Sequence, residues 1–214
     1  MARALTPLEA RVLGVLVEKQ ATVPDTYPLS LNALTAGCNQ KTARDPVMNA
    51  TEAEVLAAID GLKSMSLVFE GSGSRVVRFE HNMGRGLNVP SQAVALLALL
   101  ILRGPQTAAE LRLYTERLHR FADISSVEAF LDELAERFPP RVVKLPRAPG
   151  EREPRWAHLL CGEVAVPAAA AATSDGSVTA GELSALKAEQ ARLSAEVAEL
   201  RTLVQRMANE LGLQ

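Results

Sequence analysis

Apolar residues recur along this chain at three- and four-residue intervals in separated blocks, and each block predicts a helix. From about Pro7 to Lys19, the residues Leu8, Val12, Val15 and Leu16 share one face. A shorter block from Ser30 to Cys38 carries Leu31, Leu34 and Cys38, and a third from Thr51 to Ser64 carries Val55, Ile59 and Leu62. Two β-rich runs, Leu67 to Glu70 and Val76 to Glu80, flank Gly71-Ser72-Gly73-Ser74, which is a hairpin signal. The same order then recurs. Ser91 to Arg103 is almost wholly apolar and is stopped by Gly104-Pro105. Thr107 to Leu118 and Ser125 to Phe138 are amphipathic, and Val142 to Leu145 with Arg155 to Leu160 predicts a second hairpin. Helix starts carry a Ser/Thr-x-x-Glu pattern, in which a hydroxyl and a glutamate satisfy each other's first-turn amides. It occurs at Thr6/Glu9, Thr51/Glu54, Thr107/Glu110, Ser125/Glu128 and Thr179/Glu182, and Pro7 suits a first helical position.

Three helices followed by a hairpin is the winged-helix order. The fold expectation is therefore a mainly α chain with small β-hairpins (α+β): tandem winged-helix domains over residues 1–86 and 87–163. From Val164 the composition changes. Residues 164–181 form an Ala-rich, low-complexity linker. Residues 182–214 keep a heptad, with Leu183, Gln190, Val197, Val204 and Leu211 at a and Leu186, Leu193, Leu200 and Met207 at d. Val at a with Leu at d favours a parallel two-stranded coiled coil, and a polar a residue such as Gln190 fixes register. Across such a dimer Glu182 would face Lys187 and Glu196 would face Arg201. The alternative is a single amphipathic helix packed on its own domain.

Charge narrows the partners. Lys plus Arg total 23 and Asp plus Glu 25, so this is no strongly basic chain built to coat nucleic acid. The balance holds locally, with nine basic and nine acidic residues through Arg85 and ten of each from Gly86 to Glu163. The longest apolar run, Ala93 to Leu102, is far short of the roughly 20 residues of a membrane helix, and the start lacks a signal-peptide pattern. The expectation is a soluble, cytoplasmic protein with no membrane partner. Cys38 and Cys161 read as reduced thiols. His81, His119 and His158 are isolated, with no ligand spacing for a metal, and no phosphate loop or nucleophile elbow is present. The chain is expected to be no enzyme and to need no cofactor.

What remains is binding. A winged helix reads DNA with its third helix in the major groove and its hairpin on the phosphates. The tentative DNA contacts are Gln40, Lys41, Thr42, Arg44, Lys63, Arg75 and Arg78. Both third helices are acidic: Glu52, Glu54 and Asp60 oppose Lys63 in the first, and Glu128, Asp132, Glu133 and Glu136 oppose Arg137 in the second. Residues 39–48, Asn39-Gln-Lys-Thr-Ala-Arg-Asp-Pro-Val-Met48, are long and polar for a turn between two helices. They read as a structural loop or as a rigid binding surface.

Several strings carry a family resemblance: Glu9-Ala-Arg-Val-Leu-Gly-Val-Leu-Val-Glu-Lys-Gln20, Tyr27-Pro-Leu-Ser-Leu-Asn-Ala-Leu34, Cys38-Asn-Gln-Lys41, Arg44-Asp-Pro-Val47, Phe79-Glu-His-Asn82, Leu102-Arg-Gly-Pro-Gln-Thr107 and Ala157-His-Leu-Leu-Cys-Gly162. In order, they closely resemble the YceH family of bacterial proteins over about residues 4–163. The resemblance implies a tandem winged-helix fold and presumed DNA binding. It places Asn39, Gln40, Lys41, Arg44, Asp45 and Pro46 in the family's signature loop, with Thr42 and Ala43 standing where the pattern has Ser and Asn. The leading functional expectation is a dimeric transcriptional regulator on double-stranded DNA. The second is an adaptor that uses its winged helices on a protein partner.

Overall fold

A computed structural model describes residues 3–71, 76–147, 150–151 and 153–164. All of them lie in one compact unit, residues 1–166. In chain order the elements are α1 (Pro7–Thr22), β1 (Leu29–Ser30), α2 (Leu31–Cys38), α3 (Glu52–Ser64), β2 (Val68–Gly71), β3 (Arg78–His81), α4 (Met83–Leu87), α5 (Ser91–Arg103), α6 (Ala108–Tyr114), α7 (Ile124–Glu136), β4 (Val142–Lys144) and β5 (Trp156–His158). The architecture is mainly helical with two small antiparallel sheets. No described helix is long and apolar enough to cross a membrane.

Local chemistry sets most of the boundaries. At α1 the Thr6 hydroxyl accepts from the Glu9 amide at 3.2 Å, and the Glu9 carboxylate accepts from the Thr6 amide at 2.7 Å. The reciprocal boxes at Thr51/Glu54 and Thr107/Glu110 form in the same way. Ser125/Glu128 does not. The carboxylate of Asp123 accepts from the Ser126 amide at 2.7 Å and caps α7 two residues earlier. The fifth pair, Thr179/Glu182, lies outside the described residues. α1 runs past Lys19 to Thr22, ends as the Val23 amide closes on the Lys19 carbonyl at 3.0 Å, and is followed by Pro24. α6 stops at Tyr114 rather than Leu118, where the Thr115 hydroxyl turns back onto the Leu111 carbonyl at 2.7 Å.

The first sheet has the order β1-β3-β2, with Leu29 opposite Phe79 and Val68 opposite His81. In the second half β4 pairs β5, and a third partner is reduced to one bridge: Gln106 and Trp156 exchange backbone hydrogen bonds of 3.0 and 2.7 Å. Both halves thus place a short extended piece before their second helix and pair it with the last strand.

The two halves share a core. Every residue of α5 from Ala93 to Leu102 is buried, and α1 is buried from Glu9 to Val17. α1 packs along α5 more extensively than any other described pair of elements. Gly14 permits this approach, since a Cβ there would stand 2.9 Å from Ile101 Cγ2 and 3.1 Å from Leu102 Cγ. Each fully buried Leu, Ile or Val of this layer is worth about 1.5–3 kcal/mol of transfer free energy. The chain's start is tied to the end of the second half, where the Leu5 amide donates to the Leu160 carbonyl at 2.8 Å.

Candidate functional site

The polar segment between α2 and α3 is built around buried side chains. Arg11, on α1, is only 1% exposed. It donates to the carbonyls of Cys38 at 3.1 Å and Pro46 at 2.6 Å, and its Nε has no partner. Burial and the neighbouring charge of Arg44 both lower its pKa, although a guanidinium stays charged from so high a starting value. Asn39 closes the loop's base: its amide donates to the Ala50 carbonyl and accepts from the Ala50 amide, both at 2.7 Å. The Asp45 amide donates to the Leu102 carbonyl at 2.8 Å and fastens the loop to α5. Pro46 is exposed and supplies the carbonyl that Arg11 holds.

Arg44, expected on DNA, is instead buried at 7% exposure. Its guanidinium makes a two-pronged pair with Glu18 of α1 at 2.6 and 3.1 Å, and also donates to the Gly37 and Ala43 carbonyls. This corrects the sequence assignment. A charge with its hydrogen-bonding edge spent inside the protein offers no phosphate contact. Burial pushes the Glu18 carboxyl up, but the bonds and charge of Arg44, with Lys19 beside it, outweigh burial and hold it below the usual range.

The other expected contacts divide. Lys41 and Thr42 are exposed, and Gln40 folds back to donate to the Thr42 carbonyl at 3.0 Å. Lys63 pairs with Glu70 on β2. Arg78 donates to the carbonyls of Thr26 and Pro28, bracing the entry to β1. Arg75 lies outside the described residues, as do the heptad positions Leu183, Leu186, Gln190, Leu193, Val197, Leu200, Val204, Met207 and Leu211. In the second hairpin Arg155 is held by Glu110 at 2.9 Å and Glu151 at 3.0 Å, and Lys144 lies over the Trp156 ring.

The outer face of α3 has a different character. Glu52, Glu54 and Asp60 are exposed there together with Leu56. Between the start of α2, α3 and the β2–β3 arms lies an open cavity of about 460 Å³. Leu31, Leu56, Val76, Val77 and Phe79 line it, with Glu52 and Glu70 at its margin. Leu56, Val76 and Val77 are 43%, 56% and 54% exposed. Sequence reasoning missed this surface because its apolar residues come from a helix and a hairpin arm that no single periodicity links.

Burial governs the titration of Cys38, His81 and His158. Burial pushes the Cys38 thiol up to about 12 despite the nearby Arg11 and Arg44, which keeps it protonated at neutral pH. His81 accepts from the Met83 amide through Nδ1, so Nε2 carries the proton and faces Gln20 Oε1 at 2.7 Å. Burial lowers the pKa of both His81 and His158 to about 4. Among the described residues, no three His, Cys, Asp or Glu side chains are grouped to hold a metal ion.

Comparison with known proteins bears on this loop and core. The family described as "Protein of unknown function, DUF480" matches residues 5–151. A UPF0502 protein of Burkholderia thailandensis is 73% identical over 99% of this chain and 91% of its own length. One from Cupriavidus pinatubonensis is 72% identical over 99% and 92%, and one from Leptothrix cholodnii is 69% identical over 100% and 98%. These alignments run through the linker and heptad segment, so the tail is common to relatives rather than peculiar to this chain. The chain belongs to the DUF480/UPF0502 family, the YceH family its motifs resemble.

Proposed function

We propose that this protein is a tandem winged-helix docking module for another protein, an adaptor paired through its C-terminal coiled coil. The order α1-β1-α2-α3-β2-β3 with a β1-β3-β2 sheet supports the winged-helix part of this reading, and α5-α6-α7-β4-β5 with the Gln106–Trp156 bridge parallels it. One observation carries the functional reading. The helix that would enter a DNA groove presents Glu52, Glu54, Asp60 and Leu56, while Arg44, Lys63 and Arg78 are engaged within the protein. Carboxylates facing a phosphate lattice are repelled, and DNA affinity rests largely on free cations that displace counterions. Fold alone decides nothing here, since the same scaffold serves both partners.

Binding of the full-length protein to random duplex DNA across a salt series tests this. An adaptor has no measurable binding, or a slope of log affinity against log salt near zero. DNA reading at several phosphates gives a slope of about −0.9 per phosphate. A slope of that kind, reduced by Lys41→Ala, would overturn the adaptor reading in favour of double-stranded DNA.

A further inference from the structure

We propose that the groove between α2, α3 and the β2–β3 arms holds a basic amphipathic helix of the partner protein. This rests on the docking reading above and names the chemistry that the surface selects. The floor is apolar, formed by Leu31 with the buried ring of Phe79, and Leu56, Val76 and Val77 rise around it. The open cavity of about 460 Å³ gives apolar side chains of an occupant a place to seat. Exposed aliphatic side chains converging from two separate elements mark an interaction surface rather than scattered surface apolarity.

The margin fixes the charge of the occupant. Glu52 stands at one side, held by the Asn32 amide at 3.3 Å. Glu70 stands opposite, with Lys63 offsetting its charge. An anionic occupant would meet the Glu52 and Glu70 carboxylates here. The starts of α2 and α3 both open toward the groove, and helix starts attract phosphate. At each start, however, one first-turn amide, that of Ala33 or Glu54, already donates to the Ser30 or Thr51 hydroxyl, and Glu52 sits in the first turn of α3. Lysine or arginine at the flanks of an apolar stripe meets this margin, whereas a phosphate backbone is repelled by it.

The test uses the full-length protein and two labelled probes, a Leu/Lys amphipathic helical peptide and its Leu/Glu counterpart, read by fluorescence anisotropy. The Leu/Lys peptide binds and the Leu/Glu peptide does not. Leu56→Asp and Glu52→Lys each weaken Leu/Lys binding by about tenfold or more, the loss typical of a central contact. Phe69→Ser, at an exposed ring outside the groove, leaves binding unchanged. Leu/Lys binding that is equal in all variants, or absent in the parent, overturns the assignment. Absence together with no binding to duplex DNA removes only the basic helix and leaves the adaptor reading standing. Displacement of the peptide by duplex DNA removes both.

Discussion

Replacing Arg44 by methionine keeps a long apolar stem and deletes the guanidinium. The Glu18 carboxylate, only 16% exposed, then keeps Lys19 at 3.3 Å as its remaining ion-pair partner, and the Gly37 carbonyl loses its donor from the Arg44 side chain. Breaking one side of a buried pair in this way costs about 3–5 kcal/mol. A whole domain has about 5–15 kcal/mol to lose. For a unit of this size each kcal/mol lowers Tm by about 2–4 °C, so Arg44→Met lowers it by about 6–20 °C. The single tryptophan, Trp156, is buried, and its fluorescence during urea unfolding gives the same quantity. Adding Glu18→Gln to Arg44→Met removes the stranded carboxylate and restores part of the loss, giving a coupling above about 1 kcal/mol in the double-mutant cycle. If Arg44→Met lies within about 0.5 kcal/mol of the parent, the surface-like value, then Arg44 does not hold the loop and the argument fails.

Packing, capping and burial each carry a further expectation. Gly14→Leu places side-chain atoms into Ile101 and Leu102 and costs about 1–3 kcal/mol or more as overpacking, read as a lower urea midpoint. Thr107→Ala removes the cap of α6 and costs about 1 kcal/mol in the same measurement. His81 and His158 have folded pKa values of about 4 against 6.5, so the unfolded chain takes up more protons between these values. Stability therefore falls as pH drops from 6.5 toward 4, and His81→Gln makes Tm less dependent on pH across that window; an unchanged dependence refutes the burial of His81. In the tail, Leu193→Glu with Leu200→Glu halves the mass measured by light scattering if the heptad pairs two chains, and an unchanged mass refutes the coiled coil.

Helices were legible where one short pattern decided them. Apolar spacing and the boxes at Thr6, Thr51 and Thr107 located three helix starts, because a cap is a contact between residues three apart. Ser125/Glu128 misled because Asp123 offered a competing cap two residues earlier, and a regular pattern does not rank two caps. The two-residue β1 and the Gly-containing α4 leave no periodicity to read. Arg44 was misassigned for a plainer reason: its partner, Glu18, lies 26 positions away. A local signal did exist. Arg11 and Glu18 are seven residues apart at the two ends of an apolar stretch, with Val15 between them on the same face, and charges embedded in that way ask for buried partners. The groove beside α3 needed the fold itself, because its walls come from both ends of the first half.

The close passage of α1 over α5 makes the joint near residue 87 a poor place to cut. Separated there, each half would turn to water the apolar surface now packed against the other, including Ile101 and Leu102 where they meet Gly14. The amides of both helices will therefore exchange with deuterium together, through opening of the whole unit rather than of either half. A ligand that grips only the first half will protect the second to the same degree, since binding free energy added to one cooperative body is shared by all of it.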